Sequence, residues 1–365
     1  MPTQEHESEK IARQRSQLLQ WYALNRRDLP WRRTPDPYAI WVSEIMLQQT
    51  RVAAVVERYK AFLERFPTLT ALAQAPEEDV LALWSGLGYY RRARMLHKAA
   101  RFVADYQQGI LPTTSDALLL LPGIGTYTAA AIASIAHNEP VAVVDGNVER
   151  VLCRLSGWDA GSRKGGGAAV RRQVEIFANR LVHPDHPGDF NQAMMELGAT
   201  VCLPRSPLCA QCPIAADCLT KGEHKTAPRP RMVSREVAYA LAVRSPHRHR
   251  PGHREVLLEQ RPAHLTVMPG LWELPALHDS AVPPSELRMT VRHAIMQVNY
   301  YVRIRTVGVD DVESLAVYGG ERSWTPLHEA HAMPLTGLTR KVLARAQLLP
   351  PLALAGMTRT GGEDF

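Results

Sequence analysis

Hydrophobic residues recur at helical spacing along the first part of the chain. From residue 8 to about residue 136, apolar positions repeatedly fall three or four residues apart, as Val52, Val55 and Tyr59 illustrate. That spacing places them on one face of an α-helix, and little of the period-two alternation of strands is present. The first part of the chain is therefore predicted to be mainly α-helical.

A second pattern begins after residue 236. Segments 237–243, 255–260 and 298–307 are short and rich in valine, tyrosine and isoleucine, which is typical of strands. A basic stretch with two prolines precedes them, and this composition indicates an interdomain linker. We therefore predict a helical domain over 1–225, a linker over 226–236, a smaller α+β domain over 237–348 and a tail over 349–365.

Composition and charge narrow the class of protein. Of the 365 residues, 45% are hydrophobic and 22% are charged, as in ordinary globular proteins. The sequence has no run of about 18 apolar residues that would span a membrane, and its N-terminal segment is charged, so we expect a cytoplasmic protein without a membrane partner. The net charge of +7 favours polyanionic partners.

Four of the five cysteines lie in one short window. They are Cys202, Cys209, Cys212 and Cys218, separated by six, two and five residues. Thiolates this close in sequence can converge on one metal cluster. Zinc is the main alternative, but its structural sites usually have two C-x2-4-C pairs, and the window has one C-x2-C. The loop over 202–218 is therefore predicted to hold one [4Fe-4S] cluster.

Two glycine-bearing turns suit contacts with nucleic acid. The segment LPGIG (121–125) lies between two short helices predicted over 116–121 and 127–136. Gly123 and Gly125 can present backbone N–H groups to phosphate oxygens. The segment SGLGYYRRAR (85–94) combines tyrosines, which can stack on bases, with arginines, which can neutralise phosphates. Each segment also has a plainer interpretation, a simple helix–helix turn for the first and an exposed basic turn for the second.

Two carboxyl groups are predicted to lie in environments that favour opposite protonation states. Glu44 has apolar neighbours on both sides, so burial in a helix would raise its pKa and let it act as a general acid. Asp145 lies just before a helical pattern, and a helix N-terminus favours the charged form of a carboxyl. Cleavage of a glycosidic bond through an oxocarbenium-like state needs one proton donor and one anion. Taken singly, Asp145 could merely cap its helix and Glu44 could be a surface residue.

Seven stretches together resemble one protein family. They are LPWR (29–32), WVSEIMLQQT (41–50), GLGYYRRAR (86–94), LPGIGTYTA (121–129), VDGNVERVL (144–152), FNQAMMELGA (190–199) and the cysteine loop. Their combination resembles the MutY-type adenine DNA glycosylases of the helix-hairpin-helix superfamily, which also contains endonuclease III. The resemblance implies a mainly α-helical helix-hairpin-helix glycosylase domain with an iron–sulfur loop. It also implies a monomer at the bacterial nucleoid whose partner is double-stranded DNA containing adenine opposite 8-oxoguanine or guanine.

The resemblance implies roles for individual residues. The catalytic set it implies is Glu44, Asp145, Tyr127 and Asn147, with Glu44 protonating adenine and Asp145 stabilising the sugar cation. The DNA-contacting set it implies is Trp31, Arg32, Gln49, Thr50, Leu87, Tyr89, Arg91, Gly123 and Gly125. Within the second set, Gln49, Leu87 and Tyr89 resemble residues that wedge into the duplex, which offsets part of the cost of unstacking a base.

One position separates two activities within that superfamily. Relatives of endonuclease III carry a hairpin lysine where this chain has Tyr127, and that amine forms the Schiff base needed for strand cleavage. A phenol cannot form a Schiff base. The resemblance therefore implies a monofunctional glycosylase that leaves an abasic site in base excision repair.

The C-terminal part resembles the MutT-like domain of the same family, which is similar in fold to Nudix hydrolases. EVLLEQRP (255–262) and GLWELP (270–275) carry this likeness, but the sequence lacks the acidic metal-binding helix of those hydrolases, which favours binding over hydrolysis. Where the family has an F-S-H loop for 8-oxoguanine, this chain has Ile295, Met296 and Gln297. Without the serine hydroxyl, we expect weaker discrimination for 8-oxoguanine or the use of another donor, with Gln297 the nearest.

A function of another class stays open at the level of sequence. The chain could be a non-catalytic iron–sulfur regulator that binds DNA, with Glu44 and Asp145 serving the fold alone. Replacing either carboxyl with its amide separates the two interpretations, because an enzyme would lose base release and keep DNA binding.

Overall fold

Helices dominate the first part of the chain. The computed structural model describes residues 4–158, 166–224, 231–246, 254–315 and 320–350. The helices before residue 201 are α1 (Gln4–Asn25), α2 (Pro37–Leu47), α3 (Val52–Arg65), α4 (Leu69–Gln74), α5 (Glu77–Leu83), α6 (Arg91–Tyr106), α7 (Ser115–Leu118), α8 (Thr126–His137), α9 (Gly146–Ser156), α10 (Gly166–Leu181) and α11 (Pro187–Thr200). The prediction of a mainly helical first part is confirmed. Within the described ranges, no helix has the length and apolarity needed to cross a membrane.

The C-terminal part is an α+β arrangement, as predicted. Its elements are β1 (Val233–Leu241), β2 (Val243–Arg244), β3 (Glu255–Gln260), β4 (Trp272–Glu273), β5 (Ala276–Leu277), β6 (Leu287–Ile295), β7 (Val298–Thr306), β8 (Arg322–Pro326), α12 (Leu327–Ala330) and α13 (Gly337–Arg345). One sheet has the order β5–β1–β7–β6, in which β1 and β7 are parallel. The other has the order β2–β3–β4, and β8 pairs with β3. The likeness of this arrangement to Nudix hydrolases stays a prediction.

Only parts of the predicted linker and the predicted tail lie within the described residues. β1 begins at Val233, so this strand starts inside the segment 226–236 that the sequence predicted as a linker. It starts there because Val233 pairs with Val298 and extends the ladder with β7. Residues 225–230 and 351–365, which include most of the predicted tail, lie outside the described residues.

The chain divides into two compact units that cross the predicted domain boundary. The first comprises residues 1–48, 68–73 and 98–228, and the second comprises residues 49–67, 74–97 and 229–365. Helices α3 and α5 therefore belong to the same unit as the strands. The hydrogen bonds of Ser85 and Tyr90 to the carbonyl oxygen of Leu335 are among the contacts that join these segments. The predicted domain bounds stay a prediction.

Close packing in the first unit depends on two glycines of α11. This helix lies against α1, α8 and α9. A β-carbon at Gly188 would lie 2.7 Å from the carbonyl oxygen of Ser134, and one at Gly198 would lie 2.6 Å from the β-carbon of Asn147. Any larger side chain would push the helices apart. Gly198 thus lets α11 approach the first turn of α9.

In the second unit, an aromatic group supports the turn that follows α5. The ring of Phe62 packs edge-on against Phe66 and Trp84, with centroid distances of 5.0 and 6.0 Å. The indole nitrogen of Trp84 donates a hydrogen bond to the carbonyl oxygen of Gly88 at 3.1 Å. This packing fixes the start of the glycine-rich turn over residues 85–90.

Candidate active site

A buried carboxyl lies on α2. Asp36 caps this helix by accepting a hydrogen bond from the backbone N–H of Tyr38, and Glu44 follows two turns later with only 5% of its surface exposed. Burial raises the pKa of Glu44 to about 7, although the hydrogen bond from Tyr127 opposes this shift. The nearby negative charge of Asp145 raises the pKa further. The predicted burial of Glu44 is confirmed, and near neutral pH its carboxyl can hold or release a proton.

A second carboxylate is fixed at the start of α9. One oxygen of Asp145, Oδ1, accepts hydrogen bonds from the backbone N–H groups of Asn147 and Val148, at 2.8 and 2.7 Å. The other oxygen, Oδ2, accepts one from the side-chain amide of Asn147 at 2.9 Å. Three donors and the positive end of the helix dipole hold this anion in one orientation. The predicted helix cap is confirmed, and capping does not prevent the group from also facing a substrate.

Asn147 is itself held by a residue that the sequence did not single out. Nη2 of Arg150 donates to Oδ1 of Asn147 at 2.9 Å and to the carbonyl oxygen of Gly198 at 2.7 Å. Nε of Arg150 donates to the carbonyl oxygen of Cys202 at 2.9 Å. A continuous chain of hydrogen bonds therefore runs from the start of the cysteine loop to Asp145. Arg150 lies three residues after Asn147, a spacing at which helical side chains meet, so this signal was available in the sequence.

A buried carboxylate on α11 pairs with two arginines, one of which also acts on Glu44. Glu196 on α11 accepts hydrogen bonds from Nε and Nη2 of Arg27, both at 2.7 Å, and from Nη2 of Arg32 at 2.9 Å. Burial alone would raise the pKa of Glu196, but the two guanidinium groups lower it to about 2. Arg32 also acts on Glu44, whose pKa its charge lowers. The sequence indicated Arg32 and the neighbouring buried Trp31 and missed Arg27 and Glu196, because the pairing joins distant segments.

The predicted hairpin is present with slightly shifted ends. Helices were predicted over 116–121 and 127–136, and the structure has α7 and α8, separated by the turn that contains Gly123 and Gly125. Gly123 has a φ of +77°, which a glycine adopts at little cost. Gly125 is exposed at the N-cap of α8. Backbone N–H groups at this helix start are therefore available to an anion.

The residues predicted to contact the duplex differ in their exposure. Gln49 and Tyr89 are exposed, and both have left-handed backbones with φ of +56° and +48°. Arg91 is also exposed, and Thr50 is half-buried. Leu87, in contrast, is only 5% exposed. Of the three predicted wedge residues, Gln49 and Tyr89 are thus presented to solvent and Leu87 is not.

Arg92 holds this turn together from within. Its Nη2 atom donates to the carbonyl oxygens of Leu87 and Gly88, at 3.1 and 3.2 Å, and to Oγ1 of Thr50 at 3.0 Å. Burial lowers the pKa of Arg92 to about 10, which still leaves it charged at neutral pH. One of the three arginines in the motif therefore serves the fold of the turn.

The four cysteines line one pocket. Cys202, Cys209, Cys212 and Cys218 surround it together with Arg154 and other residues. Among the described residues, however, no three His, Cys, Asp or Glu side chains are placed as ligands of a metal ion. Nη1 of Arg154 lies 3.4 Å from the sulfur of Cys202. A four-thiol set with a buried cation beside it fits a thiolate-bound cluster, because the cation offsets negative charge on the sulfurs.

Arg154 also fixes the backbone of the loop. It donates to the carbonyl oxygens of Leu203 and Pro204, at 2.6 and 2.9 Å. Its own carbonyl oxygen accepts from the backbone N–H of Thr220 at 3.1 Å. Both ends of the loop are thereby attached to the last turn of α9, the helix that begins at Asp145.

The segment aligned with the family's 8-oxoguanine loop is the tip of a β-hairpin. Met296 and Gln297 form the two-residue turn between β6 and β7. Met296 is 73% exposed and has a φ of +53°. The position aligned with the serine of the family's loop is thus occupied by Met296, whose apolar side chain is exposed to solvent.

Comparison with known proteins shows which class of protein the chain resembles. Residues 42–171 match the family model described as HhH-GPD superfamily base excision DNA repair protein. This segment contains Glu44, Tyr127 and Asp145. Residues 42–171 are similar to that superfamily, and the predicted helix-hairpin-helix fold is confirmed.

The chain is also similar to proteins named adenine DNA glycosylase. That of Homo sapiens is 50% identical over 213 residues, which are 56% of this chain and 38% of the relative. That of Arabidopsis thaliana is 43% identical over 240 residues, 59% of this chain and 37% of the relative. That of Buchnera aphidicola subsp. Schizaphis graminum is 38% identical over 211 residues, 56% and 59% respectively. The predicted resemblance is confirmed, although the chain spans less than two thirds of each relative's length.

Two solved structures share the fold. A thermostable thymine-DNA glycosylase superposes with a TM-score of 0.53 at 29% identity, over 59% of this chain and 98% of that protein. An endonuclease III trapped covalently on DNA superposes with a TM-score of 0.50 at 23% identity, over 60% and 98%. The second likeness supports the fold alone.

Proposed function

We propose that the protein is a monofunctional adenine DNA glycosylase of base excision repair. It would hydrolyse the bond between adenine and deoxyribose where adenine lies opposite guanine or 8-oxoguanine in double-stranded DNA. The observation that carries this proposal is the buried carboxyl of Glu44, whose pKa is raised to about 7, in a chain that also holds the oriented anion of Asp145. The similarity to proteins named adenine DNA glycosylase supports adenine as the base.

In the proposed reaction, Glu44 supplies a proton and Asp145 supplies a charge. Protonated Glu44 donates its proton to a ring nitrogen of the extruded adenine, so the base departs neutral with the electron pair of the glycosidic bond. The positive charge left at C1′ of the sugar is stabilised by the carboxylate of Asp145. Water then adds to C1′, and the proton it loses returns to the Glu44 carboxylate. An abasic site and free adenine are the products.

The remaining predicted residues would bind and position the nucleotide. Tyr127 and Asn147 would line the pocket around the two carboxyls, and Trp31 and Arg32 would contact the extruded base. Gln49, Thr50, Tyr89, Arg91, Gly123 and Gly125 would contact the duplex. The burial of Leu87 favours Gln49 and Tyr89 as the inserted side chains. Leu87 would instead stabilise the turn by its burial. We infer that a single chain acts on the duplex, at the bacterial nucleoid.

The cysteine loop would hold one [4Fe-4S] cluster through Cys202, Cys209, Cys212 and Cys218. The pocket shared by the four thiols and the cation of Arg154 beside it support this assignment over unrelated cysteines. The bound cluster would supply a structural cross-link and no step of the hydrolysis. Measurement of iron, sulfide and zinc in the purified protein distinguishes the cluster from a zinc site.

A strand-scission assay with a panel of duplexes tests the proposed function. The protein is incubated with four duplexes, which contain adenine opposite guanine, adenine opposite 8-oxoguanine, thymine opposite guanine or normal pairs only. Each reaction mixture is then divided into two portions, and one portion is treated with hot alkali. We expect a break at adenine in both mispairs after hot alkali and no break without alkali, because Tyr127 cannot form the Schiff base of a lyase. We also expect only a modest preference for 8-oxoguanine over guanine, because Met296 replaces the loop serine.

The same assay decides between the proposal and its alternatives. Scission at thymine and not at adenine would support a thymine glycosylase, the activity named for one structural neighbour. Binding to the mispairs without any scission would support a non-catalytic regulator. A large preference for 8-oxoguanine would contradict the inference drawn from Met296.

A further inference from the structure

Residues near the C-terminus hold both ends of the glycine-rich turn over 85–90. The hydroxyl of Tyr90 donates a hydrogen bond to the carbonyl oxygen of Leu335 at 3.0 Å, and the hydroxyl of Ser85 lies 3.4 Å from the same oxygen. Nε of Arg340 donates to the hydroxyl oxygen of Ser85 at 2.9 Å. Ser85, Tyr90, Leu335 and Arg340 are all buried. All of them belong to the second compact unit, and the proposed chemistry uses none of them.

The C-terminal side of this contact is firmly held. The backbone around Leu335 pairs with β4, since the N–H of Trp272 donates to Pro334 at 3.0 Å and the N–H of Thr336 donates to Trp272 at 2.9 Å. Arg340 lies on α13, and its Nη2 atom donates to two further carbonyl oxygens, those of residues 331 and 333. Pairing with β4 thus fixes the carbonyl oxygen of Leu335, and α13 fixes the guanidinium group of Arg340.

The stretch between the two held ends has an unusual backbone. Gly86 and Gly88 have φ of +97° and +69°, and Tyr89, which has a side chain, has a φ of +48°. Such a conformation costs free energy at a non-glycine residue and persists where the surroundings hold it. Tyr89 is also 49% exposed. The buried contacts at Ser85 and Tyr90 therefore maintain the conformation that presents Tyr89 to solvent.

We propose that Arg340 and the carbonyl group of Leu335 are positioning groups for Tyr89. By fixing Ser85 and Tyr90, they hold the turn in the conformation in which Tyr89 enters the duplex at a mispair. Residues of the C-terminal part thereby determine how strongly the protein distinguishes mispaired from fully paired DNA, without touching the DNA themselves. This inference rests on the proposed function, in which Tyr89 contacts the duplex.

Binding measurements on variants of the full chain test this inference. Each variant carries Glu44→Gln, which prevents cleavage, and its dissociation constants are measured for a duplex with adenine opposite guanine and for a fully paired duplex. Arg340→Met removes the donors and keeps most of the side-chain length, and Ser85→Ala removes their acceptor. We expect each to weaken mispair binding about tenfold while paired-DNA binding is retained. The double variant should lose much less than a hundredfold, because both changes break the same Arg340–Ser85 hydrogen bond.

Two further variants make the outcome decisive. Arg345→Met removes an exposed arginine of the same helix and should leave both constants unchanged. Tyr90→Phe deletes only the hydroxyl bonded to Leu335, so it should weaken mispair binding several-fold even if Arg340→Met fails to fold. A purely structural role for Arg340 would lower the unfolding temperature and leave the ratio of the two dissociation constants as it is.

The possible failures are distinguishable. If the parent protein binds mispaired and paired DNA equally, the proposed function fails and the positioning inference fails with it. If the parent prefers the mispair and the Arg340, Ser85 and Tyr90 variants keep the same preference, the positioning inference alone is overturned.

Discussion

The hydroxyl of Tyr127 lies 2.6 Å from Oε2 of Glu44, so the acidity of the two groups is coupled. Burial and the adjacent carboxyl raise the pKa of Tyr127 well above its ordinary value, which keeps the phenol protonated and donating. The hydrogen bond it donates favours the charged form of Glu44, while burial of Glu44 favours the neutral form. The balance places the pKa of Glu44 at about 7, where a general acid is effective at neutral pH.

The rate of base release should therefore fall as the pH rises through about 7, where Glu44 loses its proton. Tyr127→Phe removes a hydrogen bond that favours the charged form, so the pKa of Glu44 should rise and the fall in rate should move to higher pH, by up to about one unit. Single-turnover rates measured across the neutral range check this. Tyr106→Phe, at an exposed position, is the control, and a shift toward lower pH in Tyr127→Phe would contradict the coupling.

Stability should depend on pH through the same group. The folded pKa of Glu44, about 7, lies above its ordinary value of 4.5, so the stability it contributes is present below that value and is lost as the pH rises through about 7. Glu44→Gln does not titrate and should be more stable than the parent above this pH, by at most a few kcal/mol. Urea unfolding between pH 4.5 and about 7, and just above 7, measures this difference. Parallel pH dependences in the two proteins across that window would show that folding does not raise the pKa of Glu44.

The charge of Asp145 can be tested apart from its capping role. Asparagine caps helices about as well as aspartate, so Asp145→Asn should keep α9 and its unfolding temperature. Base release should nevertheless fall on the order of a hundredfold or more, because the anion facing the sugar cation is lost. Asp36→Asn, at the cap of α2, is the matched control and should retain activity. Equal rates for the two variants would assign Asp145 to the fold alone.

The glycine at position 198 should be required for activity beyond its effect on stability. A β-carbon there would lie 2.6 Å from that of Asn147, so Gly198→Ala should displace Asn147 and the Asp145 carboxylate that it orients. We expect a loss of about 1–3 kcal/mol in stability together with a slower chemical step. Gly188→Ala, which meets the backbone of Ser134 instead, should cost stability and leave the rate per folded molecule unchanged. Single-turnover rates normalised to the folded fraction separate the two effects.

Arg154 should govern the retention of iron in the cysteine loop. Arg154→Met removes the donors to the carbonyl oxygens of Leu203 and Pro204 and the cation beside Cys202. We expect less iron per chain and faster loss of iron to a chelator. Arg180→Met, at an exposed site of α10, is the control. Unchanged iron content in Arg154→Met would mean that the cation does not stabilise the site.

The neighbouring residues in the sequence were sufficient to predict the environments of the two carboxyl groups. Glu44 stands among apolar residues of one helix and Asp145 stands at the start of another, so burial and capping followed from the neighbouring sequence. The hairpin with Gly123 and Gly125 was equally accessible, because turn residues separate two short helices. Its ends differed by a few residues, since helix ends depend on individual caps such as Thr114.

Interactions between distant segments were not predictable from a single sequence. Glu196 pairs with Arg27 and Arg32 across more than 160 residues of chain, and Arg340 pairs with Ser85 across 255. No periodicity or motif links such positions. The burial of Leu87 was missed because the motif that contains it is rich in residue types that are usually exposed.

The proposed function requires that the chain release adenine with Glu44 as the acid. Its most direct test is chromatographic detection of free base after incubation of the purified protein with a duplex that contains adenine opposite guanine, in parallel with Glu44→Gln. We predict stoichiometric free adenine from the parent protein, and no detectable adenine from Glu44→Gln although that variant still binds the mispair. Adenine release by Glu44→Gln at the parental rate, or no free adenine from either protein, would contradict the account.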